Sequence, residues 1–244
     1  MKLSFVIPAF NEAGYIERCL AQIAAAVEQC RGTPGHDFDT EYVVVDNNST
    51  DDTATIAEQA GAVVVFEPVN QISRARNAGA KAASGEWLIF VDADSELSAA
   101  LLGDVLALIN TGDYLGCGAL MTMDDMPRAA RWALALWSWL SATFNWAAGS
   151  FVVCRADAFT ALGGFSEQLF VTEEIDFSIR VKKYARRHRS KFVVLRDHPL
   201  QTSNRKVRLY SDRELLAQTL RLMFRPRKTM RDKAALDVWY DGRR

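Results

Sequence analysis

The feature that most constrains the fold of this chain is an alternation of short apolar runs with amphipathic segments over its first 110 residues. Four runs rich in branched and aromatic side chains predict buried strands, over residues 3–7, 41–45, 62–66 and 87–91. The segments between them predict helices over 14–29, 53–59 and 71–83. Apolar strands joined by helical crossovers are typical of parallel sheets buried on both faces. The chain is therefore predicted to adopt an α/β fold with a Rossmann-like, mostly parallel sheet flanked by helices.

Length and composition fit a single globular domain. The 244 residues are 49% hydrophobic, which is enough to bury one sizeable core, and no low-complexity linker divides them. The four cysteines contain no Cys-x-x-Cys pair, which argues against a disulfide framework and against a zinc site. We therefore expect a cytoplasmic protein. The apolar start over 3–10 is short and contains Pro8, so we interpret it as the first strand and not as a signal peptide.

The near-zero net charge hides a strong asymmetry along the chain. Residues 1–179 carry 9 basic and 24 acidic side chains, whereas residues 180–244 carry 20 basic and 6 acidic ones. Such a basic end can bind nucleic acid, anionic lipid or a diphosphate, or it can neutralise the acidic part of the same molecule. Among the cations from Lys182 to Lys191 the only interleaved aromatic ring is Tyr184, so nucleic acid is not expected as a partner.

Polar side chains follow three of the predicted strands. They are Asn11 and Glu12 after the first, Asp46, Asn47 and Asn48 after the second, and Asp92 and Asp94 after the fourth. In an open α/β sheet the ligand crevice lies outside the carboxyl ends of the strands, so these side chains are expected to converge on one site.

The triplet Asp92-Ala93-Asp94 ends a buried strand, where two carboxylates need compensation for their desolvation. A divalent cation such as Mg²⁺ or Mn²⁺ prefers such oxygens and is often completed by substrate phosphates. The same pattern also suits a turn. It suits, in addition, a haloacid-dehalogenase-type phosphatase with Asp92 as the nucleophile, although that motif normally opens a chain.

A charge-free stretch between Arg131 and Cys154 contains four tryptophans. Polar residues interrupt it, and its pattern changes near Gly149 from helical to strand-like, so we do not expect a membrane span. We interpret the stretch as a core helix followed by a strand. Its indole rings are also suited to an aromatic wall for a sugar or lipid acceptor.

Three carboxylates lie within four residues, at Glu173, Glu174 and Asp176. If a helix begins here, the acids favour its positive N-terminal end, and Thr172 is a plausible cap. Alternatively, one of the carboxylates serves as a catalytic base. The residues alone leave both interpretations open.

Several motifs, in a fixed order, together resemble family 2 glycosyltransferases of the GT-A fold. They are Phe5–Glu12, Asp46–Asp51, Arg74–Gly79, Asp92–Asp94 and Gly163–Phe165 before the acidic cluster. The resemblance runs from Leu3 to about Arg180. It implies an inverting transfer of a sugar from a nucleotide-diphosphate donor to an acceptor hydroxyl.

The resemblance also implies an organisation and a donor site. One glycosyltransferase domain over 1–244 would comprise a nucleotide-binding half at 1–110, an acceptor or catalytic half at 111–210 and a C-terminal helical extension at 211–244. Asp94 would ligate the Mg²⁺ or Mn²⁺ that bridges the diphosphate, and Asp92 would share the cation or lie near the ribose. The donor-binding candidates are Pro8, Asn11, Glu12, Asp46, Asn48, Arg74, Asn77, Asp92, Ala93 and, from a basic loop, Arg205.

In this family the base is commonly the Asp of a Glu-Asp pair, and the matching pair here is Glu173-Glu174. Glu174 is therefore the first candidate for the base and Asp176 the second. Such assistance contributes roughly 100- to 10,000-fold to a rate. His198 could be a third metal ligand.

The expected partners are the donor and a saccharide or lipid-linked acceptor, in bacterial envelope polysaccharide, glycolipid or lipid-linked saccharide synthesis. A helical pattern over 212–224 mixes leucines with arginines, and it either packs on the sheet or lies on an anionic membrane at the inner face of the cell membrane. Three alternatives remain: the phosphatase, a sugar-nucleotide pyrophosphorylase and an inactive nucleotide-sugar-binding module. The pyrophosphorylase is disfavoured because this sequence has no Gly-rich, Arg-containing loop after its first strand. The inactive module is suggested by Glu in place of Asp at position 174.

Overall fold

The computed structural model describes residues 1–31, 37–126 and 128–205. The helical extension predicted over 211–244 lies outside these residues. In chain order the elements are β1 (Lys2–Ala9), α1 (Ile16–Arg31), β2 (Asp39–Asp46), α2 (Thr53–Gln59), β3 (Val63–Phe66), α3 (Ile72–Ala82), β4 (Trp87–Val91), β5 (Ser95–Glu96), α4 (Ala99–Asn110), β6 (Tyr114–Thr122), α5 (Arg128–Phe144), β7 (Phe151–Arg155), α6 (Ala156–Ala161), α7 (Glu173–Arg187) and β8 (Lys191–Thr202).

In the described part of the chain, eight strands form one sheet in the order β3-β2-β1-β4-β7-β6-β8-β5. The predicted strands are confirmed: β1 pairs in parallel with β2 and β4, and β2 with β3. Helices α1, α2 and α3 are the connections that parallel pairing requires. Strand β7 runs antiparallel between β4 and β6, so the sheet is mixed in its second half.

Hydrophobic layers cover both faces of the sheet because successive side chains of a strand point to opposite faces. Phe5 and Ile7 of β1 join one layer, together with Ile23 of α1 and Leu101 of α4. Val6 joins the other layer, where the side chains of α3, α6 and α7 pack. This two-sided burial explains why β1 and β4 read as continuous apolar runs and not as alternating ones.

Helix α5 is only partly a core helix. Trp132, Leu136 and Trp139 are 78%, 59% and 62% exposed, so the interpretation of this stretch as a core helix is wrong for that face. The strand predicted after it is confirmed as β7, whose Phe151 and Val153 are buried. Within the described residues, no helix is both long and apolar enough to cross a bilayer.

Candidate active site

A cleft of about 330 Å³ opens at the carboxyl ends of β1, β2 and β4. The predicted convergence of polar strand ends is thus found for part of the set. The lining residues are Pro8, Ala9, Phe10, Glu12, Asn47, Asn70, Ile72, Arg76, Asp92, Ala93, Asp94, Gly149, Ser150, Phe170, Val171, Thr172, Glu173, Glu174 and Arg205. Six of the predicted donor-site or metal-site residues and the first candidate base are therefore brought together.

The loops that follow β1 and β2 are tied to each other. The Asn11 side-chain oxygen accepts from the Thr50 amide at 2.8 Å, and the Asn11 amide donates to Ser49 Oγ at 3.0 Å. Asp46 Oδ1 accepts from the Ser49 amide at 2.9 Å. The structure therefore places Asn11 and Asp46 in the loop scaffold beside the cleft, outside its lining, while Asn48 is exposed.

Asn47, one of the polar strand ends expected to converge but not one of the donor-binding candidates, is buried at this strand end. Its amide nitrogen donates to the Val69 carbonyl at 2.6 Å, and its oxygen accepts from the Gln71 amide at 2.9 Å. These bonds fix the turn between β3 and α3, which carries Asn70 and brings it to the cleft. Asn47 therefore shapes one wall of the cleft as well as lining it.

Arg76 of α3 is a fully buried cation, with 2% of its side chain exposed. Its Nη1 donates to Glu173 Oε1 at 2.6 Å, and its Nη2 donates to Asp92 Oδ1 at 3.0 Å and to the Gly149 carbonyl at 2.6 Å. Such a buried charge is tolerated because anionic and carbonyl oxygens surround it. Arg76 thus joins three separate segments at the floor of the cleft.

The two α3 residues predicted to bind the donor lie elsewhere. Arg74 bonds to Glu67 at 3.1 Å and to Glu167 at 3.0 Å, outside the cleft lining. The Asn77 side chain donates to the Phe165 carbonyl at 3.0 Å and accepts from its amide at 2.9 Å. It therefore holds the turn at Gly163–Phe165.

Gly164 is required at this turn for two reasons. Its φ of +69° lies in the left-handed region, which side chains disfavour. A Cβ at this position would also lie 2.5 Å from Asn77 Oδ1, which is closer than van der Waals contact permits. The Gly-Gly motif therefore serves the packing of α3 against the segment that precedes α7.

Helix α7 begins at Glu173, and its first turn carries the acidic cluster. Thr172 occupies the N-cap position, as predicted, but its φ is 66° and its side chain makes no capping hydrogen bond. The helix is positioned instead by Ser178, whose hydroxyl donates to the Glu174 carbonyl at 2.7 Å and accepts from the Ala147 amide at 2.9 Å.

Glu174 lines the cleft beside Glu173. Burial raises the pKa of the Glu174 carboxyl well above its ordinary value, and the adjacent charge of Glu173 raises it further. Burial also raises the pKa of Glu173, and the charge of Arg76, whose Nη1 donates to Glu173 Oε1, opposes that rise. One carboxylate of the pair is thus held in an ion pair, and the other is a proton acceptor of raised basicity.

Asp176 does not line the cleft. Its Oδ2 accepts from Arg180 Nε at 2.7 Å, and Arg180 also donates to the Leu162 carbonyl at 3.0 Å and to the Gly164 carbonyl at 2.8 Å. The second candidate base is therefore engaged in a contact that closes the Gly-Gly turn.

Glu12 and Arg205 form a two-bonded ion pair at the other side of the cleft. Arg205 Nη1 and Nη2 lie 3.0 and 2.7 Å from the two Glu12 oxygens, and Nη2 is 3.8 Å from Asp94 Oδ2. The guanidinium carbon is 4.7 Å from the centre of the Tyr15 ring. This pair joins the end of β1 to the segment that follows β8, and both side chains line the cleft.

A family model described as "Glycosyl transferase family 2" matches residues 4–162, which is more than half of the chain. The chain belongs to glycosyl transferase family 2. The match covers β1 to α6 and therefore includes Asp92, Asp94 and Arg76. Membership of this family disfavours the phosphatase alternative for the Asp-x-Asp triplet.

Named relatives agree with this family assignment. An uncharacterised glycosyltransferase of Mycobacterium tuberculosis is 33% identical over 139 residues, which are 56% of this chain and 58% of that protein. The uncharacterised glycosyltransferase EpsJ of Bacillus subtilis is 29% identical over 130 residues, 50% of this chain and 35% of that protein. The matched segments therefore span between about a third and three fifths of the length of these two relatives.

Solved structures of glycosyltransferases have the same GT-A fold as this family 2 chain. The Staphylococcus aureus TarS 1–349 complex with UDP superposes with a TM-score of 0.63 at 21% identity, covering 94% of this chain and 74% of that one. Glucosyl-3-phosphoglycerate synthase of Mycobacterium tuberculosis, solved with Mg²⁺ and UDP, gives 0.63 at 19% identity, covering 98% and 79%. The predicted fold class is confirmed.

The side chains that could ligate a divalent cation in this family 2 cleft fit such an ion only in part. Asp92 and Asp94 both line the cleft, but the described residues hold no cluster of three or more His, Cys, Asp or Glu side chains that could bind a metal. His198, suggested as a third ligand, is paired with Asp104 at 2.8 Å and does not line the cleft. Two carboxylates suit Mg²⁺ or Mn²⁺, which usually take their remaining ligands from water and substrate phosphates.

Proposed function

We propose that the chain is an inverting glycosyltransferase that moves a sugar from a nucleotide-diphosphate donor to an acceptor hydroxyl, with Glu174 as the base. The observation that carries the proposal is that one cleft is lined both by Asp92 and Asp94, which follow β4, and by Glu174 in the first turn of α7. Inverting transfer needs a charge-stabilising group at the leaving diphosphate and a base on the opposite face of the sugar.

The donor end of the cleft is the part lined by Pro8, Asn47 and Asn70, beside the scaffold of Asn11 and Asp46. Arg205 is suited to the diphosphate, since guanidinium makes paired bonds with phosphate oxygens. Arg205 lines the cleft, where both of its Nη atoms bond to Glu12. A nucleotide donor is supported by structures of similar fold that were solved with UDP or GDP-mannose.

Asp94, with Asp92, would hold the divalent cation. When bound there, the cation would stabilise the charge that develops on the leaving diphosphate. Arg76 fixes Asp92, because its Nη2 donates to Asp92 Oδ1 at 3.0 Å. The position of Asp92 is therefore set by the fold before any ligand binds, which favours preorganised charge stabilisation.

Glu174 takes the proton of the acceptor hydroxyl in this proposal. A general base is most effective when its pKa lies near the working pH, and burial and Glu173 raise the pKa of Glu174 towards that range. The backbone that carries Glu174 is held in place by Ser178, which donates to the Glu174 carbonyl and accepts from the Ala147 amide. Asp176, bound to Arg180, is the weaker candidate.

The acceptor class that we propose is a saccharide or lipid-linked saccharide of the bacterial envelope. It is supported by the aromatic α5, which leads into the cleft residues Gly149 and Ser150. The alternative, an inactive nucleotide-sugar-binding module, would bind the donor in the same cleft but would not transfer the sugar.

A screen of UDP-, GDP- and dTDP-sugars by thermal shift, with and without Mn²⁺, tests the donor proposal. We expect at least one donor to raise the melting temperature only when the metal is present. Calorimetry on Asp94→Ala should then show that metal-dependent donor binding is lost, whereas Asp157→Ala, an exposed carboxylate outside the cleft lining, should bind as wild type does. Unchanged donor affinity in Asp94→Ala, with and without Mn²⁺, would contradict the metal role.

A further inference from the structure

Helix α5 presents an apolar stripe to solvent. Trp132, Leu136 and Trp139 are each more than half exposed and are spaced by four and three residues, so they lie on one face of the helix. Phe144 at the end of the helix is 48% exposed. Large contiguous apolar surface of this kind marks an interaction site, because single exposed hydrophobic residues are ordinary but aligned indole rings are not.

Cations lie at both ends of the stripe, although Asp124 and Asp125 are exposed just before α5 begins. No Asp or Glu occurs from residue 127 to residue 156. Arg131 is exposed at the N-terminal end of α5. At the C-terminal end, Lys182 Nζ donates to the Phe144 carbonyl, and Arg196 Nη2 donates to the Ala142 carbonyl at 2.6 Å. The apolar stripe is thus bordered by cations at both ends.

We propose that this face of α5 docks on an anionic lipid surface. Helices that lie in the membrane interface have this composition. Exposed Trp and Leu side chains are aligned on one face, Arg and Lys lie at its border, and the helix carries no carboxylate. Indole rings are suited to this depth because they bury a large apolar area while one N–H stays near the headgroups. The cations contribute by attraction to anionic lipids. A protein partner that matched this stripe would have to supply its own carboxylates.

The docked face is connected to the cleft by a short path. The chain leaves α5 at Phe144 and reaches Gly149, which lines the cleft and accepts from Arg76. In between, the Ala147 amide donates to Ser178, which in turn bonds to the Glu174 carbonyl. A lipid surface at α5 would therefore lie on the side of the cleft where the candidate base is. Docking itself does not depend on the transfer chemistry, so the two proposals can fail separately.

Lipid binding at this face can be tested with a fluorophore on Leu136→Cys. The four native cysteines, Cys19, Cys30, Cys117 and Cys154, are all buried, so an environment-sensitive thiol probe will label position 136 selectively in the folded full chain. We expect a blue shift on adding phosphatidylcholine vesicles that contain about one third phosphatidylglycerol, a much smaller one with phosphatidylcholine alone, and a weaker response at high salt.

Three results would contradict the proposal. One is a probe that does not respond to anionic vesicles. Another is a probe that is already blue-shifted without vesicles and does not change, which would mean that the C-terminal part of the chain or a second copy covers the face. An equal response to neutral and anionic vesicles would also contradict the role of the cations.

Vesicle co-sedimentation of two variants, one changed on α5 and one changed elsewhere as a matched control, measures the contribution of the exposed rings to vesicle binding. Trp132→Ser/Trp139→Ser removes two exposed rings and should weaken partitioning by about tenfold or more, since each ring buries a large apolar area. Phe66→Ser removes a ring that is 61% exposed on β3, and it should bind vesicles as wild type does. Equal partitioning of the two variants would contradict the assignment to α5.

Discussion

Arg76 Nη1 lies 2.6 Å from Glu173 Oε1, and the two side chains are only 2% and 4% exposed. The ion pair joins residues 97 positions apart in sequence and links α3 to the first turn of α7. Through Nη2 the same guanidinium holds Asp92 at the end of β4. The buried Arg76 therefore fixes the distance between two parts of the proposed site. One is Asp92, proposed to act at the diphosphate, and the other is the helix turn that carries the candidate base Glu174.

Removing that cation should destabilise the protein severely. In Arg76→Met, Glu173 and Asp92 would lose their positive partner, and the free energy of unfolding should fall by about 3–5 kcal/mol. Arg74→Met, on the same helix but 36% exposed, should cost less than about 1 kcal/mol. Denaturant unfolding followed by circular dichroism compares the two variants. Equal stabilities would show that the buried pair has no structural role.

The Glu12–Arg205 pair should show strong coupling in a double-mutant cycle. The two side chains are 7% and 13% exposed, so either single change leaves a poorly solvated charge. Glu12→Gln/Arg205→Met should therefore be more stable than the sum of the single variants predicts, by about 1–3 kcal/mol.

The exposed pair Arg18–Glu96 is the control for this cycle. Its side chains are 69% and 38% exposed, and its coupling should stay within about 1 kcal/mol. Additive effects in the Glu12–Arg205 cycle would mean that this ion pair does not join the end of β1 to the segment after β8.

Glu41 should contribute a pH-dependent part of the stability. Burial alone would raise the pKa of Glu41, but bonds from Lys2, Ser4 and Ser84 outweigh it and lower the pKa to about 2. Because the folded pKa lies below the unfolded one, the stabilisation is present above about pH 4.5 and is lost as the pH falls towards 2.

The corresponding experiment is urea unfolding of wild type and Glu41→Gln between neutral and acidic pH. The variant should be less stable at pH 7 by about 1–3 kcal/mol, and its stability should decline less steeply in acid. Some acid dependence should remain, since the pKa values of Asp51 and Asp157 are also lowered. Parallel curves for the two proteins would contradict the role given to Glu41.

The sequence predicted the fold of the first 110 residues well, because strands buried on both faces leave uninterrupted apolar runs. It also predicted that Asp92, Asp94 and Glu12 meet, since the carboxyl ends of parallel strands share one edge. The family resemblance implied a donor-binding role for Arg74 and assigned none to Arg76, although the helical spacing of the buried α3 positions 75, 76 and 79 places Arg76 on the inner face. That signal was readable in the sequence.

Other features could not be read from local pattern. The side of α5 that faces solvent is set by how the helix packs against β6 and β8, and an apolar composition does not reveal that choice. Asp46 and Asn11 bond to a neighbouring loop, and His198 bonds to Asp104 of α4, through tertiary contacts that residue types alone do not specify.

The most direct test of the proposed mechanism is the transfer rate of Glu174→Gln, measured in single turnover with a donor found in the thermal-shift screen. The change keeps the side-chain size, so donor affinity should remain within about threefold while transfer falls by roughly 100- to 10,000-fold. In wild type the rate should rise with pH through a pKa above the ordinary Glu range, because only the deprotonated form accepts a proton. Asp176→Asn should retain most of the activity. A Glu174→Gln protein that transfers the sugar within about threefold of the wild-type rate would contradict the assignment of the base.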